Sequence, residues 1–62
     1  MEERVKVKVF RSGKLQESLE FDNYDKALDC AMKKLGLGNS CLILRLVENK
    51  WVKVWLNPSE TL

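Results

Sequence analysis

Val5, Val7 and Val9 alternate with Lys6 and Lys8 near the start of the chain. A period of two between apolar and charged side chains marks a strand with one face buried and the other open. Such a strand needs partner strands and a covering layer. The 62 residues available leave room for one small sheet and little to cover it, because a chain of this size buries only about 60% of its unfolded surface.

Residues 14–21 form the second strand, with Leu15, Leu19 and Phe21 on one parity. Between the two strands, Arg11-Ser12-Gly13 reads as a three-residue loop closed by a left-handed glycine. That register pairs Val9 with Leu15, Val7 with Glu17 and Val5 with Leu19. It also pairs Lys8 with Gln16 and Arg4 with Glu20. Glu17, an inward charge, suits an edge strand, where it blocks pairing with other chains.

A helix follows. Asp22 or Asn23 caps it, and Asp25 complements the dipole in the first turn. Tyr24, Ala27, Leu28, Ala31 and Leu35 form one apolar stripe at helical spacing. Asp29 and Lys33 make an i,i+4 pair. Gly36 is the expected left-handed stop, with Leu37 folding back toward Met32.

Two further strands complete the pattern. Leu42, Leu44 and Leu46 alternate with Ile43, Arg45 and Val47; Val52, Val54 and Leu56 alternate with Trp51, Lys53 and Trp55. A three-residue loop, Glu48-Asn49-Lys50, pairs Leu46 with Val52 and Leu44 with Val54, and sets Arg45 opposite Lys53. Pro58 ends the last strand, and the tail from Ser59 is expected to fray.

The order β-β-α-β-β predicts a single α+β domain over residues 1–62, with an ordered core of about 4–57. One helix packs on one face of a four-stranded sheet, mixed in the preferred topology and fully antiparallel in the competing one, since a helix crossover of this length allows either. It covers Val5, Val7, Val9, Leu15, Leu19, Phe21, Leu42, Leu44, Leu46, Val52, Val54 and Leu56. One helix cannot cover two faces. The open face is expected to carry Lys6, Lys8, Phe10, Ile43, Arg45, Val47, Trp51, Lys53 and Trp55.

This arrangement resembles the ubiquitin-like β-grasp, in which the first and last strands lie parallel in the centre. Asp29-Cys30-Ala31-Met32-Lys33 with Gly36-Leu37 resembles the helix of Raf-type Ras-binding domains. Cys41-Leu42-Ile43-Leu44-Arg45-Leu46 and Val7-Lys8-Val9-Phe10 are similar to strands of that family. Phox/Bem-type scaffold domains share the layout and the basic first strand. The Ras-binding resemblance implies small-GTPase binding along the strand-2 edge, through Lys14, Gln16 and Ser18, with Lys33 on the helix. Glu17, Glu20 and Asp22 stand where that family carries basic residues.

Composition removes several functions. His is absent and there are two Cys, which leaves no imidazole chemistry and no Cys₄ zinc site in one chain. No paired carboxylates converge and no glycine-rich loop meets a helix N-terminus, so neither enzyme nor cofactor is expected. No apolar run reaches the roughly 18 residues of a membrane span, and no signal peptide is visible. Cys30 sits off the helix stripe and Cys41 on the open-face parity, so the sheet separates them. Reduced, unpaired thiols in a cytoplasmic protein follow.

Three readings remain for the open face. Trp51, Trp55, Phe10, Ile43 and Val47 form a patch of the kind that marks a protein interface, with another protein or a second copy. The same aromatics beside lysines form a platform for single-stranded nucleic acid, and an anion between Arg45 and Lys53 would relieve their repulsion. Against this stands a net charge of only +2. The third reading is a plain surface shielded by Lys and Arg stems.

Overall fold

The computed structural model describes residues 3–57. Four strands and one helix follow in order: β1 (Val5–Arg11), β2 (Lys14–Phe21), α1 (Tyr24–Leu35), β3 (Ser40–Val47) and β4 (Lys50–Asn57). The expectations for Pro58 and the tail lie outside the described residues.

The strands form one sheet in the order β2-β1-β3-β4, and every neighbouring pair is antiparallel. The expected mixed sheet, with β1 beside β4, is corrected. β1 and β3 take the two interior places. β4 carries Lys50 and Lys53, which suit an edge. β2 and β3 run parallel with β1 between them, so α1 is the crossover of a split β-α-β unit.

Both hairpins turn in two residues rather than three. Ser12 and Gly13 have φ of 53° and 77°; Glu48 and Asn49 have 50° and 66°. Positive φ at both central positions belongs to the type I′ turn, whose twist matches that of the strands. The shorter turns move both registers. Arg11 pairs with Lys14 and Phe10 with Leu15; beyond a bulge at Gln16, Val9 pairs with Glu17, Val7 with Leu19 and Val5 with Phe21. In the second hairpin Leu46 pairs with Trp51, Arg45 with Val52 and Leu44 with Lys53. A bulge at Val54 then returns the ladder to Ile43–Trp55 and Leu42–Leu56.

These shifts decide which side chains reach the core. Val5, Val7, Val9, Cys41 and Ile43 are buried against Ala27 and Ala31 of the helix. Phe21, Tyr24, Leu28, Leu35 and Trp55 pack around them. Leu15, Leu42, Leu44, Leu46 and Leu56 belong to the other face, contrary to expectation. Val52 keeps the expected side but is exposed, and Val54 at its bulge is 42% exposed.

The helix follows its local signals. Asn23 is the cap, its Oδ1 accepting from the Lys26 N–H at 2.8 Å. Lys33 reaches Asp29 and Lys26 reaches Asp22, each at 3.3 Å. The stop differs. Gly36 stays right-handed at φ −63°, and Gly38 supplies the left-handed turn at φ 89°. Leu37 is left 66% exposed instead of folding onto Met32. Arg11 secures this loop from the end of β1, donating to the Leu37 carbonyl at 3.0 Å and to Asn39 Oδ1 at 3.1 Å.

Candidate interaction face

β-strand alternation sends Arg4, Lys6, Lys8 and Phe10 away from the helix. Their partners across the sheet share that direction. One row of paired residues reads Glu20, Lys6, Leu44, Lys53, and the next reads Ser18, Lys8, Leu42, Leu56. Leu46 and Trp51 extend the face at one end, Phe10 and Leu15 at the other. Seven apolar side chains (Phe10, Leu15, Leu42, Leu44, Leu46, Trp51 and Leu56) therefore stand on a face that no element among the described residues covers.

Five expected members of this face are in place: Lys6, Lys8, Phe10, Trp51 and Lys53. Four are not. Ile43 is wholly buried under the helix, and Arg45, Val47 and Trp55 share its side of the sheet. Arg45 is not opposed to Lys53. It faces Val52, pairs with the Glu3 carboxylate and lies 5.9 Å from the Tyr24 ring centroid. Glu3 also accepts from the Tyr24 N–H at 3.2 Å. The counter-charge for Arg45 thus comes from the same chain.

Trp51 is the anchor of the face. The Lys6 ammonium lies 4.3 Å from its ring centroid and the Arg4 guanidinium 5.6 Å, both within cation–π range. Arg4 also donates to Glu20 at 2.8 Å. That hydrogen bond holds the Glu20 carboxyl below its ordinary pKa and raises that of Arg4.

β2 is an edge strand, so Lys14, Gln16 and Ser18 do lie along an edge; all three are exposed. Lys33 is on the helix and paired with Asp29. Between the helix flank and Phe21 runs an open groove of about 450 Å³, lined also by Cys30, Lys34 and Leu37. Lys34 also pairs with Glu17 at 3.2 Å, which gives the helix-side carboxylate of β2 a partner.

Both cysteines are free thiols, on the same side of the sheet rather than on opposite sides. Cys41 is buried and donates weakly to the Ala31 carbonyl at 3.5 Å. Burial pushes its thiol pKa up, with a smaller push from Cys30. Among the described residues, no helix is long and apolar enough to cross a membrane.

Sequence reasoning missed Leu42, Leu44, Leu46, Leu56 and Leu15 as members of the face. The ambiguity was visible in β3, where both parities are apolar; the helix takes Cys41 and Ile43, which pack against Ala27 and Ala31. No family model, curated protein or solved structure matches this chain.

Proposed function

We propose that the chain is a non-enzymatic protein-interaction module that binds through its open sheet face. The observation that carries this reading is the leucine row Leu42, Leu44 and Leu46, central in the sheet and partly exposed, with nothing among the described residues packed above it. Full burial of a leucine from water is worth about 1.5–3 kcal/mol, and each of these three, already partly buried, has a fraction of that left to gain. Three neighbours in line, with Trp51 beside them, form a binding core of ordinary composition, and Arg4, Lys6, Lys8 and Lys53 give it a basic rim.

Single-stranded nucleic acid has less support. Stacking needs free aromatic faces, whereas the centre of this face is aliphatic and Trp51 is engaged by Lys6 and Arg4. Small-GTPase binding along β2 rests on the resemblance alone, and Glu17 and Glu20 on that strand oppose it.

Photo-leucine incorporated in place of leucine tests the reading. Irradiation should leave protein adducts on Leu42, Leu44 and Leu46 and none on Leu28 or Leu35 of the helix. Adducts with nucleic acid alone, or none on β3, would overturn it.

A further inference from the structure

We propose that the occupant of the open face is a second copy of this chain, laid sheet on sheet about a two-fold axis running along the strands; this rests on the protein-binding reading of that face. The charge pattern selects the partner and the axis together. The midline of the sheet falls between β1 and β3. A two-fold along the strands keeps each row of side chains at its level and reverses its order. The row Glu20, Lys6, Leu44, Lys53 then meets its own reverse. Glu20 of each copy faces Lys53 of the other, and Lys6 faces Leu44. In the next row Lys8 faces Leu42 and Ser18 faces Leu56. Basic β1 lies on leucine-rich β3, where lysine stems cover apolar surface while their ammonium groups reach outward.

The other in-plane axis, across the strands, would stack β1 on β1 and bring Lys6 and Lys8 against their copies. Like charges in apposition oppose association. One two-fold thus pairs Glu20 with Lys53 and brings no like charges together in either row, and the other fails at the centre. Aligned packing of two sheets about 10 Å apart is the sandwich solution for sheets with one uncovered face. Four strands spaced about 4.8 Å, each of seven or eight residues at about 3.3 Å, give a footprint on the order of 500 Å² a side. The total of about 1,000 Å² reaches the lower bound for a specific interface. With seven buried hydrophobic residues among those described, this domain has a small core, and the open face offers it a second layer.

Sedimentation equilibrium of the purified chain and three variants tests the arrangement, with circular dichroism as the check on folding. The wild type should approach twice the 7.2 kDa chain mass as concentration rises. Lys53→Glu should weaken the dimer about tenfold, since two symmetric contacts turn from attraction to repulsion. Glu20→Lys should do the same, and the double reversal should recover wild-type association. Recovery separates the contact between copies from the loss of the Arg4–Glu20 pair within one copy. A monomer at every concentration would overturn the proposal, as would a dimer that ignores the single reversals or is not recovered by the double. A monomer whose β3 leucines still cross-link to another protein would sink the self-association and spare the interaction face. A monomer with no β3 adducts would sink both.

Discussion

Trp51 and Trp55 stand on one strand at the same parity yet face opposite sides of the sheet. Trp51 pairs with Leu46 on the open face, and Trp55 pairs with Ile43 beside the core. The bulge at Val54 separates them: one residue without an opposite number inverts the alternation beyond it. Trp51 is thereby left to the open face and Trp55 to the core. Trp55→Ala should lower the stability of the single domain, while Trp51→Ala should act chiefly on association. Urea unfolding at low concentration, set beside sedimentation, separates the two; equal loss of stability for both would contradict the inversion.

Ile43 and Leu44 are neighbours with the same division of labour. Ile43 is fully buried, so Ile43→Ala should cost about 2–5 kcal/mol. On a domain whose total stability is about 5 kcal/mol, that is enough to unfold much of the population. Leu44→Ala should cost clearly less in dilute protein, where its side chain is half-wet. On the proposed dimer, which would bury Leu44, its cost should grow with protein concentration. Chemical denaturation of both variants at two concentrations checks this.

The two thiols should differ in reactivity. Cys41 is buried beneath Ala31 and Cys30 is only half-buried, so a thiol reagent should modify one cysteine in the native protein and two after unfolding. The pH dependence has a definite sign. Burial raises the Cys41 pKa in the folded state. Above about pH 8.5 the unfolded chain releases that proton while the folded chain retains it. Stability should therefore fall as pH rises through this range, and Cys41→Ala should remove that component. Equal modification rates for both thiols in the native protein would contradict the burial.

Glu20 supplies the opposite sign. Its carboxyl is held low by the hydrogen bond from Arg4, so its contribution is present above the ordinary carboxylate range and is lost as pH falls through its folded value. Because the pair is exposed to solvent, its effect should be small and salt-sensitive. Comparing wild type with Glu20→Gln between pH 7 and pH 3 in dilute protein reads it directly: the gap should close as pH falls. A gap that stays constant would mean that Glu20 acts by packing alone.

What the sequence makes legible here is local. The helix stripe, its Asn23 cap and its Asp29–Lys33 pair each depend on residues within one or two turns, and each is found. The alternation in β1 is legible because only one parity is apolar. β3 defeats the same reasoning: Leu42, Leu44 and Leu46 outweigh Cys41 and Ile43 by hydrophobicity, yet the helix takes the latter. Cys41 and Ile43 pack against its Ala27 and Ala31, and nothing local to β3 marks that parity as the buried one. The turns compound this, since a two-residue loop in place of three shifts the pairing by one and exchanges faces. Strand order was open for a different reason: a helix crossover can bring the chain back beside β1 or beyond it, and sequence does not say which. Half of the open face followed from β1 and the start of β4; the leucines followed only from register.

Val54 offers the sharpest test of that register. From the turn outward, Lys50, Trp51, Val52 and Lys53 oppose Val47, Leu46, Arg45 and Leu44, and Trp55 opposes Ile43. Val54 is the residue left over. Deleting it should straighten the ladder without moving a single pair: Lys53 stays opposite Leu44 and Trp55 opposite Ile43. The deleted chain should fold with its tryptophans unmoved, and its stability should stay within about 1 kcal/mol of wild type, since little buried surface is lost. Deleting Val52 shortens the strand by the same amount, with a different result. Lys53 would slide opposite Arg45 on the helix side, a like-charge pair, and Val54 would move opposite Leu44. That variant should be markedly less stable. Urea unfolding followed by tryptophan emission measures both deletions. A Val54 deletion as damaging as the Val52 deletion would show that the bulge at Val54 is required rather than spare.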